Sequence, residues 1–168
     1  VVDAMQTAVP LTQGHYQQAF QKKFCDYTGA KYAFALNNAT AALELSAQLC
    51  QFKQADEVII PAHTYTASAY PFVKKKAKIV WADIDLKTRV VTAQTIEPCI
   101  TENTKAIVVV HLYGFCADMP SIMELAKKHN LLVIEDTAQA MGSRINGQMA
   151  GTFGDLGIFS FHSHKNIT

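Results

Sequence analysis

The sequence predicts an α/β domain, a three-layer α/β/α sandwich on a mostly parallel sheet. Apolar runs of strand length, Glu57 to Ile60, Lys78 to Trp81, Lys105 to His111 and Leu131 to Ile134, alternate with stretches of helical period. Each parallel strand needs a crossover before the next, so this alternation argues for parallel pairing with helices on both faces. Ala106-Ile107-Val108-Val109-Val110 is apolar without a break, as a strand covered on both faces must be. With 168 residues, 49% of them hydrophobic and 17% charged, the chain holds enough apolar side chains for one such core.

In order, the opening to Gln13 shows no clear period. Tyr16, Phe20, Phe24 and Tyr27 then recur at helical spacing, and Gly29 follows as a natural stop. Lys31 to Leu36 reads as a short strand, Asn37-Asn38 as a turn and helix cap, and Ala39 to Gln51 as a helix rich in Ala and Leu. Glu57 to Ile60 is a strand stopped by Pro61, and Thr64 to Lys75 the next helix, kinked or interrupted at Pro71. After the strand Lys78 to Trp81, Asp83-Ile84-Asp85 opens a polar connection to a short helix over Ala93 to Cys99. Lys105 to His111 is the most clearly buried strand, Asp118 caps a helix through Lys128, and a further strand ends at Glu135. A glycine-rich excursion from Gly142 to Gly154 leads to the last strand, Leu156 to Phe161.

Composition narrows the function. A formal net charge of +1 with no basic patch excludes a nucleic-acid binder. The apolar runs are far too short to span a membrane, and the first residues lack the layout of a signal peptide, so the expectation is a cytoplasmic protein that binds neither nucleic acid nor membrane. Cys25, Cys50, Cys99 and Cys116 are widely spaced without a C-x-x-C pair, which points to reduced, mostly buried thiols rather than a metal site or disulfide framework.

The candidate site lies where strands end. In an open parallel sheet, ligands bind outside the carboxyl ends of the strands. Lys165 follows the last strand, and Asp136 follows the strand that ends at Glu135. A lysine that can bond an aldehyde and an aspartate that can hold a ring nitrogen are the groups pyridoxal phosphate (PLP) needs most. Asn37 to Leu43 would leave the amides of Ala39, Thr40 and Ala41 exposed at a helix N-terminus, which suits a phosphate; taken alone, the stretch is an ordinary N-cap. Tyr65 could lie flat on a planar cofactor or be a core tyrosine. Asp136 and Ala138 share a face if the extended chain continues past the strand. His162 and His164 flank Lys165 as site lining at most, with no acid or thiol at metal-ligand spacing; His111 is either lining or a satisfied core histidine.

The order of the parts resembles the DegT/DnrJ/StrS family of PLP-dependent nucleotide-sugar aminotransferases, of the aspartate aminotransferase-like fold type I. The resemblance rests on N-N-A-T-A-A-L at 37–43, D-E-V-I-I-P at 56–61, T-Y-T-A-S at 64–68, D-I-D at 83–85, K-A-I-V-V-V-H-L-Y-G at 105–114, E-D-T-A-Q-A at 135–140, G-T-F-G-D at 151–155 and F-S-F-H-S-H-K at 159–165. It implies that Lys165 bonds the cofactor and later moves the proton, that Asp136 holds the pyridine nitrogen, that Gln139 reaches the ring hydroxyl and that Tyr65 stacks on the ring. Ala39, Thr40 and Ser160 match phosphate contacts. The implied reaction takes an amino group from an amino acid, usually glutamate, and passes it through pyridoxamine phosphate to a nucleotide-linked keto sugar for polysaccharide biosynthesis.

Departures shape the expectation. Ala39 replaces a glycine of the phosphate turn, which would cost affinity if that position needs a positive φ, and Ala55 replaces a loop glycine at a position that tolerates it. Members of the family are longer, so residues 1–168 are expected to be an incomplete PLP-binding large domain, lacking an N-terminal segment and the small C-terminal domain, and homodimeric when full length. The alternatives are a truncated domain that binds PLP without catalysis, and a related sugar dehydratase. Dehydratase relatives carry histidine at the lysine position, so Lys165 argues against them while His164 stands next to it.

Overall fold

The computed structural model describes residues 1–7 and 14–167, which divide into two compact units, 1–37 and 38–168. In the first unit, the opening stretch without sequence period contains a short helix, α1 (Val2–Thr7); the rest of that stretch, 8–13, lies outside the described residues. The second helix, α2 (His15–Thr28), follows the predicted period and stops at Gly29, whose φ of 81° closes it in the left-handed conformation. Within this unit the Tyr16 hydroxyl donates to Asp3. The strand expected over Lys31 to Leu36 does not form. Tyr32 and Phe34 are 67% and 78% exposed, and no described strand pairs with the segment. Its residues favour extended backbone, but a strand also needs a ladder partner for its N–H and C=O groups.

The second unit is the α/β sandwich. Helix α3 (Ala39–Leu49) starts at Asn38, whose side chain accepts the Ala41 amide at 2.8 Å. Strand β1 (Glu57–Pro61) follows, with every residue buried. The predicted long helix over Thr64 to Lys75 is instead a 3-10 turn (Thr66–Ser68) and a short helix α4 (Tyr70–Lys74). Pro71 is the reason: it sits in the first turn of α4, where its missing N–H costs nothing, so it begins a helix rather than kinking one. Next come β2 (Lys78–Ala82), α5 (Ala93–Ile96) running into a 3-10 turn to Cys99, β3 (Thr104–Val110), α6 (Met119–Lys128) capped by Asp118, and β4 (Leu132–Asp136).

The glycine-rich excursion holds a small antiparallel hairpin, β5 (Arg144–Ile145) and β6 (Gln148–Met149). Its turn residues Asn146 and Gly147 have φ of 50° and 85°, the paired positive values of a tight hairpin. The last strand, β7 (Leu156–Ile158), is shorter than expected and gives way to irregular chain before Lys165.

The five long-range strands form one sheet, all parallel, in the order β2-β1-β3-β4-β7. From β1 the chain steps one way to β2, then back across to β3, β4 and β7. Right-handed crossovers therefore put α4 on one face and α5 and α6 on the other. The packing agrees: α3 lies against α4, and α5 against α6. Val58, Ile59, Ile60, Ile107, Val108, Val109, Val133 and Ile134 are at most 1% exposed between these layers. The fold class is the one the periodicity predicts.

The two alanines that stand for glycines differ in backbone. Ala39 is the first residue of α3 and has no positive φ, so it needs no glycine there. Ala55 has a φ of 78°, at the third position of a turn closed by the Asp56 amide on the Lys53 carbonyl at 3.1 Å. A left-handed alanine costs about 1–2 kcal/mol, and glycine's extra freedom when unfolded takes back about 0.4–1 kcal/mol. Ala55→Gly is thus expected to stabilise the protein by up to about 1.5 kcal/mol, reading as a higher urea midpoint with an unchanged slope. A lowered midpoint would contradict the turn geometry.

Candidate active site

A cavity of about 400 Å³ opens beyond the carboxyl ends of the sheet. Val110 and Asp136 line it from the last residues of β3 and β4, and Leu112 from just past β3. Thr64, Tyr65 and Ser68 enter after β1, Ala138 and Gln139 after β4, and Ser160, His162, His164 and Lys165 after β7. The first turn of α3 adds Asn38, Ala39 and Thr40. Every predicted site residue, Ala39, Thr40, Tyr65, Asp136, Gln139, Ser160 and Lys165, therefore lines this one space, although they span 127 positions of sequence from 39 to 165.

The sheet register sets Asp136. It pairs with Val110 on one side and Ile158 on the other, which puts its carboxylate at the common edge of three strands. It is 6% exposed. The extended chain does not run on to Ala138. It turns there, and the Ala138 amide donates to Asp136 Oδ1 at 3.1 Å. The Ser68 hydroxyl donates to Oδ2 at 2.7 Å. Among the described residues no cationic side chain pairs with this carboxylate. Sequence reasoning did not single out Ser68, or Thr64 behind it; two hydroxyls four residues apart just past a strand's carboxyl end were the available signal.

At the first turn of α3 the Ala41 amide is taken by Asn38, so it is not free as the sequence reading expected. The amides of Ala39 and Thr40 have no partner among the described residues and remain free for an anion. Lys165 is half-buried, and among the described residues its amine has neither an ion-pair nor a hydrogen-bond partner. Tyr65 is 69% exposed and so is no core tyrosine. Gln139 Oε1 accepts the Tyr113 amide at 3.0 Å, which leaves its NH₂ group to donate. That bond steadies a backbone held at φ 54°, a left-handed value unusual for tyrosine.

His111 is core, not lining. Its Nδ1 accepts the Ala117 amide at 3.2 Å, so the proton sits on Nε2, which donates to Glu135 Oε2 at 3.0 Å. Both side chains are fully buried. Glu135 Oε2 also accepts the Gly151 amide at 2.8 Å, and Oε1 accepts the amides of Phe153 and Gly154, each at 2.7 Å. Burial pushes this carboxyl up, but the bonds from His111, Gly154 and Gly151 outweigh it and hold the carboxyl below the usual glutamate range. Neighbours on a strand face opposite ways, so Glu135 ties down the β6–β7 loop while Asp136 turns to the cavity. The loop also sits tightly on β7, since a Cβ on Gly157 would run into the Gly151 carbonyl.

Among the described residues no group of His, Cys, Asp and Glu could hold a metal ion. All four cysteines are free thiols; only Cys50 is buried, and burial pushes it up to about 11, while Cys25, Cys99 and Cys116 are half-buried rather than buried as expected.

An open parallel sheet whose carboxyl edge gathers a buried carboxylate, an unpaired lysine and a helix N-terminus places the chain in the fold type I α/β class. The chain belongs to the DegT/DnrJ/EryC1/StrS aminotransferase family, whose model matches residues 1–168. It is 44% identical over 168 residues to the GDP-perosamine synthase of Caulobacter vibrioides, covering 100% of this chain and 45% of that one. Among solved structures, an aminotransferase from Psychrobacter cryohalolentis superposes with a TM-score of 0.92 at 38% identity, over 99% of this chain and 44% of its own. A Streptococcus pneumoniae protein described as a sugar aminotransferase, in its PLP form, superposes with a TM-score of 0.88 at 34% identity, over 94% and 43%. The chain thus spans about 45% of the length of these relatives.

The Glu135 cluster sets a pH dependence. Because its carboxyl is lowered in the fold, its stabilisation is fully present above the ordinary glutamate value of about 4.3 and is lost as pH falls through the folded value. Glu135→Gln places a donor against donors, so a loss of about 3 kcal/mol or more is expected near neutral pH. Urea unfolding at several pH values should show a wild-type decline below pH ~4.5 that is weaker in the variant. Parallel curves would mean that Glu135 is not the source.

Proposed function

We propose that residues 1–168 form the PLP-binding large domain of an enzyme that transfers an amino group from an amino-acid donor, glutamate, to a nucleotide-linked keto sugar. The observation that carries this reading is Asp136 and Lys165 in one cavity, a buried carboxylate without a cation and an amine without a partner. They suit two of the polar features of PLP, its ring nitrogen and its aldehyde. The names of the relatives support the sugar substrate: the 44% identical protein is named for making a GDP-linked amino sugar.

When bound, PLP supplies an electron sink for negative charge on the carbon that bears the amino group. The chain supplies the rest. Lys165 would hold the aldehyde of the cofactor, and its Nζ would take the proton from the carbon that bears the donor's amine. Asp136 would accept from the ring N–H and keep that nitrogen protonated. The free NH₂ of Gln139 donates to the ring hydroxyl oxygen, and Tyr65 offers a flat face at the mouth of the cavity. The amides of Ala39 and Thr40 and the hydroxyls of Thr40 and Ser160 take the phosphate, where the α3 dipole favours an anion. Ser160 Oγ accepts the His162 amide at 3.4 Å, so its own hydrogen is free to donate. The same groups would serve the return half-reaction, in which the amino group passes to the keto sugar.

Homodimerisation and a cytoplasmic location belong to the same proposal. Among the described residues no helix is long and apolar enough to cross a membrane.

Borohydride treatment of the PLP-loaded protein tests the reading. A pyridoxyl adduct is expected on Lys165 by peptide mass, and Lys165→Ala should lose both the adduct and the visible absorption band. Its melting temperature without PLP should stay within about 2 °C, since the amine has no partner among the described residues to lose. An unchanged band in Lys165→Ala would sink the assignment.

A further inference from the structure

We propose that Thr64 and Ser68 form a directed hydrogen-bond relay that positions Asp136, making Ser68 a positioning residue of the site. This rests on the reading of Asp136 as the partner of the PLP ring nitrogen. Ser68 is 1% exposed and reaches from the turn after β1 to the end of β4, over the end of β3 that lies between them in the sheet. The direction of the relay follows from proton counting. A carboxylate can only accept, so the single hydroxyl proton of Ser68 goes to Asp136 Oδ2 at 2.7 Å. Thr64 Oγ1, 2.8 Å from Ser68 Oγ, must then donate to it.

Because the Ala138 amide holds Oδ1, the two oxygens of Asp136 are fixed by donors from different segments. The carboxylate cannot rotate without breaking one bond, and its remaining lone pairs stay open to the cavity that Thr64 and Ser68 also line. Ser46 shows what a merely structural buried serine does here. Its hydroxyl returns to the Ala42 carbonyl of its own helix at 2.8 Å. Ser68 spends its proton on the site.

The discriminating experiment titrates the full chain with PLP and with 1-deaza-PLP, in which carbon replaces the ring nitrogen. Wild type should prefer PLP. Ser68→Ala should weaken PLP binding roughly tenfold or more, the scale of a hydrogen bond to a charged group, and leave the deaza analogue within about twofold, so that the preference collapses. Thr64→Val, which keeps Ser68, should move the preference the same way by less, and Ser68→Thr should retain it. Equal weakening of both ligands, or no change in either, would reduce Ser68 to packing and overturn the relay alone. If Ser68→Ala does not fold, Thr64→Val decides, and an unchanged preference there overturns the proposal. A wild type that binds PLP and its deaza analogue equally would instead overturn the role of Asp136, and the relay with it.

Discussion

A fully buried carboxylate, Glu135, is the constraint on which this structure depends. Removing a carboxylate from water costs several kcal/mol even after relaxation. Here the cost is offset by four N–H donors, one from His111 and three from the backbone of the β6–β7 loop. Charge-assisted bonds are about twice as strong as neutral ones, and they tolerate little displacement. The loop must therefore close on β4, and β7 must follow it into the sheet. The fit of Gly157 against the Gly151 carbonyl makes that path narrow.

The consequence for function comes from the strand's own geometry. Successive residues face opposite ways, so the acid that locks the fold and the acid that faces the cavity are neighbours, Glu135 and Asp136. One side of β4 ties its carboxylate to the fold, and the other turns its carboxylate to the cavity. The position of Lys165 depends on the same lock, since it lies seven residues beyond the end of β7. Asp136 is held by side-chain and backbone donors but meets no cation among the described residues, and Lys165 meets no anion.

Backbone strain lies away from the first turn of α3. Ala39 sits comfortably at the start of that helix, with no positive φ. Ala55 carries the left-handed turn that leads into β1. A departure from a glycine pattern thus has no uniform meaning, and its cost depends on the local dihedral. Tyr113 is the second strained position of interest. Its left-handed backbone is held by Gln139, a residue of the cavity wall, so that wall and the loop after β3 are mechanically joined.

The sequence by itself determined the α/β class, most helix and strand positions and seven of the residues that line the cavity. These are local or periodic properties: apolar runs of strand length, helix caps such as Asn38 and Asp118, and chemistry-bearing residues placed just past strands. Tertiary structure decided the rest. Lys31 to Leu36 has strand-like residues but no partner, and pairing cannot be read from one strand. His111 could have lined the cavity or joined the core until its two nitrogens found Ala117 and Glu135. Ser68 and Asp136 lie 68 positions apart, and only the order β1-β3-β4 brings them to 2.7 Å. Hydrogen bonds act over about 3 Å, so which buried polar groups meet is settled by the packed chain.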